Sequence, residues 1–270
     1  MTRPFPTIEV SDPQFEHGGV RHVTVFSRAL GRRADCTLWA PADSALATGD
    51  LPLVVLLHGV YASHWAWSSC GGAPVTAARL IEEGSLPPCV LAMPSDGLYG
   101  HGSGYLDQPS GGFERWIVEE VPLLVSAVLG TGSADQLGLV GLSMGGFGAL
   151  SIGASHSGLV VAAAGMSSIT EFDQMALFVR DLSGYDIDPA RRSVLATILD
   201  HRYHLPALHI DCGADDLLFD ANSTLHAELA QHGIPHDWHV HAGGHSWDYW
   251  RTHVRDALVF CGRHFRRASA

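Results

Sequence analysis

The segment Gly141-Leu142-Ser143-Met144-Gly145-Gly146 has the residue types and spacing to hold a nucleophile. It fits G-x-S-x-G, in which the serine sits on a tight strand-to-helix turn. The flanking glycines are needed because a side chain there would meet neighbouring backbone. A serine hydroxyl is a weak nucleophile near neutral pH. It needs a base, and the base needs an acid to orient it. Two later segments offer both, Gly213-Ala214-Asp215-Asp216 and Ala242-Gly243-Gly244-His245-Ser246-Trp247. The order serine, acidic residue, histidine suits a triad built on such a turn. Asp215 and Asp216 compete for the acid role, and residue type does not choose between them. His245 stands apart from the other histidines, 17 in all, through its Gly-Gly approach and its place after the last predicted strand. A fourth segment, Leu56-Leu57-His58-Gly59-Val60-Tyr61, ends a strand at a glycine. A backbone N–H just after such a strand, together with the N–H of Met144, can hold the oxyanion of an acyl-transfer intermediate.

Those residues need a frame that brings distant loops to one edge. Short apolar runs predict buried strands at Leu53–Leu57, Cys89–Met93, Leu137–Leu142, Val160–Ala164 and Ala207–Cys212, with a more polar one at His236–His241. Val20–Ser27 and Ala34–Ala40 predict an antiparallel pair before them. Helices are expected at Pro74–Glu83, Phe113–Leu129, Gly145–Ser155, Asn222–Gln231 (opened by Asn-Ser-Thr capping residues) and Trp247–Arg267. Strand–helix alternation implies a mostly parallel central sheet with helices on both faces. The serine, the acidic pair and the histidine then all follow strand carboxyl ends, where open α/β sheets place their sites. Ile169–Leu205, after the sixth predicted strand, fits no βα unit and reads as a small cap-like excursion from one domain spanning 1–270.

Composition narrows the classes. Hydrophobic residues make up 46% of the 270, which is a globular content. The formal charge of −12 disfavours nucleic acid and anionic membrane surfaces as partners. Five cysteines without a C-x-x-C argue against a zinc ribbon or disulfide framework. Neither a leader-like segment nor a membrane-length apolar run is seen, so the expected location is cytoplasmic. His239 and His241 alternate on one strand face, but no Cys or carboxylate is read as a partner at suitable spacing, so no metal or cofactor is expected. The Gly-rich run Gly97–Gly112 lacks the phosphate-loop pattern and reads as a mobile loop over the site. Trp65, Trp67, Tyr99 and Tyr105 fall on loops near the site, either lining a pocket or packing those loops.

Four segments together resemble the esterase family of the α/β-hydrolases that includes esterase D/S-formylglutathione hydrolase, feruloyl and acetylxylan esterases, tributyrin esterase and mycolyltransferases. They are Leu56-Leu57-His58-Gly59, Gly141 through Leu150, Gly213-Ala214-Asp215-Asp216 and Gly244-His245-Ser246-Trp247. The resemblance implies an α/β-hydrolase fold, Ser143 as nucleophile, His245 as base, Asp216 as acid, and the N–H groups of Val60 and Met144 as oxyanion donors. It departs from the formylglutathione hydrolases in lacking a cysteine within Val60-Tyr61-Ala62. The expected activity is hydrolysis of short-chain acyl or small aryl esters. Thioester hydrolysis and acyl transfer are the alternatives, followed by a non-catalytic binding module. The expected partner is a small-molecule ester, and oligomeric state is left open, a homo-oligomer included.

Overall fold

The computed structural model describes residues 4–41 and 51–266. Nine strands form one sheet among these residues: β1 (Ile8–Val10), β2 (Val20–Ser27), β3 (Arg32–Trp39), β4 (Pro52–Leu57), β5 (Val90–Pro94), β6 (Ser133–Leu142), β7 (Val160–Met166), β8 (Ala207–Gly213) and β9 (Asp237–His241). Their spatial order is β1-β2-β3-β5-β4-β6-β7-β8-β9. The first three strands and the β3–β5 pair are antiparallel, and every other pair is parallel. The mostly parallel sheet expected from the alternation is therefore present. β1 went unread in the sequence because its three residues are all exposed and carry no alternation.

β4 shows why the apolar runs become buried strands. All six of its residues are buried. Leu53, Val55 and Leu57 join one core layer with Ile117, Phe147 and Leu225. Val54 and Leu56 face the other layer, with Leu80, Val254 and Leu258. Successive side chains point to opposite faces, so a strand covered on both sides must be apolar throughout.

Helices α1 (Ala73–Glu82) and α6 (Trp247–His264) cover one face. The helical segment 113–129, with α2 (Val121–Leu129), α3 (Met144–Ser155) and α5 (Phe219–Gln231), covers the other. Segment 113–129 is not the plain α-helix expected. Trp116–Glu120 forms a π-helical turn just before Pro122, where the missing proline N–H and its ring disrupt α-helical bonding. α6 ends at His264, and Arg267, included in the expected helix, lies outside the described residues. The excursion between β7 and β8 holds two short 3₁₀ turns and α4 (Val194–Asp200).

The Asn222 capping role is corrected. α5 starts earlier, and Asn222 is fully buried inside it. Its amide nitrogen donates to the Ser168 and Leu218 carbonyls at 2.8 and 2.9 Å, tying the helix to the start of the excursion. Residues 97–112 are also anchored. Tyr105 within them is fully buried, its hydroxyl accepting from the His58 N–H at 3.0 Å.

Candidate active site

The chain leaves β4 toward β5 on one side and leaves β6 toward β7 on the other. The carboxyl ends of β4 and β6 therefore flank a switch point, the place where open sheets form a crevice. Gly59 follows β4 and Ser143 follows β6. A Cβ placed on Gly59 would stand 3.4 Å from the Ser143 Cβ, so the two turns are in contact.

Ser143 adopts φ 54° and ψ −118°, a conformation that costs a non-glycine residue ~1–3 kcal/mol. Its surroundings enforce the turn. A Cβ on Gly141 would lie 2.0 Å from the Gly145 carbonyl oxygen, and one on Gly145 would lie 2.2 Å from that of Leu57. Both positions therefore demand glycine. The Ser143 N–H donates to the Met166 carbonyl at 2.9 Å, locking the turn to β7.

Ser143, His245 and Asp216 come together as the sequence order suggested. His245 Nε2 lies 3.0 Å from Ser143 Oγ, and His245 Nδ1 lies 3.1 Å from each Asp216 carboxylate oxygen. Asp216 Oδ1 also accepts the Leu218 N–H at 2.9 Å. Burial works against the Asp216 carboxylate, yet the His245 hydrogen bond and charge, with the Leu218 N–H, hold its pKa below the ordinary value. The fold places the two aspartates differently. Asp216 is buried against the imidazole, whereas Asp215 is exposed and gives its N–H to the Gly243 carbonyl.

The amides of Val60 and Met144 flank the serine turn. Met144 is the first residue of α3, whose amide has no helical acceptor. The Val60 amide has no acceptor among the described residues. Both donors are available at the positive end of a helix and a strand-end turn.

Above the serine lies a cleft of about 190 Å³, walled by Val60, Tyr61, Leu142, Phe178, Trp247 and Trp250. Phe178 stacks on the His245 ring at 5.1 Å, and Trp250 meets its edge at 4.9 Å. The imidazole is thus in contact with two aromatic side chains. None of the four loop aromatics singled out in the sequence walls this cleft. Trp67 and Tyr105 are buried supports, and Trp67 Nε1–H donates to the Leu57 carbonyl at 3.0 Å. Tyr99 packs on Phe113 and Tyr185, and Trp65 is exposed. Phe178 was missed because it lies in the excursion, which has no periodicity to read.

The sheet order, the sharp serine turn and the loops after β8 and β9 define an α/β-hydrolase. The chain belongs to the family described as "Putative esterase", which matches residues 27–261. It is 25% identical over 274 residues to an acetyl esterase of Caldicellulosiruptor saccharolyticus, covering 90% of this chain and 98% of that one. Among solved structures, a ferulic acid esterase superposes with a TM-score of 0.77 at 25% identity, covering 91% of this chain and 97% of the other. The S-formylglutathione hydrolase of Agrobacterium tumefaciens superposes with a TM-score of 0.75 at 17% identity, covering 97% and 99%, a likeness of fold. No helix of the described residues is long and apolar enough to cross a membrane.

Proposed function

We propose that this esterase is a serine carboxylesterase for short-chain acyl or small aryl esters. The observation that carries the reading is the unbroken hydrogen-bond chain from Ser143 Oγ through His245 to Asp216, at 3.0 and 3.1 Å, beneath an apolar cleft. His245 Nε2 takes the hydroxyl proton as Ser143 Oγ bonds to the ester carbonyl carbon. The carbonyl oxygen becomes an oxyanion and accepts from the Val60 and Met144 amides. The carbonyl re-forms, the ester C–O bond breaks, and the imidazolium returns its proton to the departing alcohol. Water then attacks the acyl-serine, with His245 again accepting the proton, and the acid leaves with Ser143 restored.

Cleft size favours small substrates. A volume of about 190 Å³ falls below the ~300–1,000 Å³ common for drug-sized ligands. Its aromatic walls suit a short acyl chain or a single ring. The relatives described as acetyl and ferulic acid esterases are compatible with either. The test is turnover of p-nitrophenyl esters from acetate to decanoate by the parent and by Ser143→Ala. Activity that falls with chain length and vanishes in the variant is expected. Turnover by Ser143→Ala near the parent level would overturn the serine mechanism, and a preference for decanoate would overturn the small cleft.

A further inference from the structure

The edge of the sheet at β9 gathers side chains that the proposed ester reaction does not use. β8 and β9 run parallel, with His209 opposite Asp237 and Asp211 opposite His239. Their spacing of two puts all four on one sheet face. One ligand atom from each of His209, Asp237 and His239 lies within 4.8 Å of the others. The expectation of no metal rests on His239 and His241 lacking a partner at suitable linear spacing. Asp237 supplies a carboxylate from the same strand face as His239, and His209 is delivered by the neighbouring strand, which no linear spacing reveals.

His209 is the informative member. It is 3% exposed, and its Nε2 lies 3.2 Å from Asp211 Oδ2. Asp211 is 1% exposed and also accepts the Tyr249 hydroxyl at 2.8 Å. A carboxylate accepts, so Nε2 carries the proton and Nδ1 keeps its lone pair. That Nδ1 is buried with no hydrogen-bond partner among the described residues. Leaving a buried polar atom unmatched is unfavourable. An imidazole with one nitrogen held by a carboxylate and the other free is the arrangement that orients metal-binding histidines. His239 and Asp237 are exposed, so the group opens to solvent.

We propose that His209, Asp237 and His239 bind a divalent transition-metal cation of the zinc class. Two imidazoles and one carboxylate suit such an ion and leave a coordination position for water. The ion ties the edge strand β9 to the buried β8. A neighbouring group, His241, His253 and Asp256, also brings its ligand atoms within 4.8 Å of one another. There the two rings stack face to face at 4.0 Å, and His253 Nδ1 already pairs with Asp256 at 3.5 Å. Neither of those histidines is anchored by a buried carboxylate.

The test is calorimetric titration of untagged protein with Zn²⁺, with melting temperature read alongside. His239→Ala and Asp237→Ala change exposed side chains outside the esterase machinery, so both are expected to fold and to retain ester turnover. The parent should bind one equivalent and melt at higher temperature with the ion. Each variant should bind about tenfold or more weakly, while His253→Ala binds as the parent does. Two results would overturn the proposal. One is the absence of saturable binding in the parent. The other is binding that survives His239→Ala and is lost in His253→Ala, which would assign the ion to the neighbouring group.

Discussion

Replacing Asp216 with Asn, beside a matched replacement of Asp215, tests the chemistry at its most discriminating point. Asp216 presents both carboxylate oxygens to His245 Nδ1 at 3.1 Å, which requires the proton on Nδ1 and the lone pair on Nε2, facing Ser143 Oγ at 3.0 Å. An asparagine is nearly the same shape and its carbonyl oxygen can still accept the Leu218 N–H. Its NH₂ would then face Nδ1 and favour the opposite tautomer. Nε2 would carry the proton and could no longer take one from the serine. In a Ser-His-Asp triad this exchange lowers kcat by about 10⁴-fold, roughly 5.5 kcal/mol of barrier. Asp215 is exposed and uses its backbone N–H, not its side chain, to bond Gly243. Asp215→Asn should therefore keep activity within about twofold, as surface changes generally do. The assay is steady-state turnover of p-nitrophenyl acetate, with thermal melting to show both variants folded. If Asp216→Asn kept a tenth of parental kcat, or Asp215→Asn lost as much as Asp216→Asn, the tautomer argument would fail.

Phe178→Ala should remove one face of the aromatic clamp on His245 and enlarge the cleft. A stacking loss of ~0.5–1.5 kcal/mol predicts a fall of about twofold to thirteenfold in kcat/KM for acetate, with longer acyl chains gaining relative to it. An unchanged chain-length profile would show that this ring does not bound the acyl site. Glu114 offers a stability test at a distance. It is buried, accepts from His156 Nε2 at 2.7 Å and from Arg191 Nη2 at 3.1 Å, and so joins α3 to the excursion. Burial raises its pKa, but the His156 hydrogen bond and the Arg191 and His156 charges outweigh that and leave it lowered. A lowered folded value adds stability that is present above the unfolded carboxylate value of ~4.3 and is lost as pH falls through the folded one. Glu114→Gln should melt lower than the parent at neutral pH and lose less of its melting temperature on acidification below ~4.3. Parallel melting-temperature curves against pH would contradict the assigned role.

The parts of this site that were legible in the sequence are those fixed by local necessity. A tight turn at Ser143 admits only glycine at positions 141 and 145, because backbone oxygens stand within 2.0–2.2 Å of any Cβ there, so the demand is written into six consecutive residues. Strands covered on both faces must be apolar throughout, which made β4, β6 and β7 visible as runs. The choice between Asp215 and Asp216 was not legible, since it depends on which side chain the loop turns toward a histidine 29 residues further on. Asn222 misled for a related reason. Its composition is that of a cap, but its partner is the Ser168 backbone, 54 residues away.

The same distinction separates the chemistry from the specificity. Ser143, Asp216 and His245 each follow a strand of the parallel sheet, so the sheet register fixes their mutual positions, and the motif announces the serine. The cleft walls have mixed origins. Val60 and Leu142 belong to the frame, Trp247 and Trp250 open the last helix, and Phe178 arrives from the aperiodic excursion. Leu142 lies in a strand and Trp247 and Trp250 in a covering helix, whereas Val60, Tyr61 and Phe178 lie outside both. Glu114 bonds that excursion at Arg191, Asn222 bonds the Ser168 backbone just before it, and Phe178 stacks on His245. Substitutions at Phe178 should therefore alter which ester is accepted and loosen His245 together, whereas excursion positions that touch neither the cleft nor His245 should leave both unchanged. On the proposed function, the strand ends set the reaction, and the excursion contributes one wall, Phe178, to a substrate site otherwise built from the frame and the last helix.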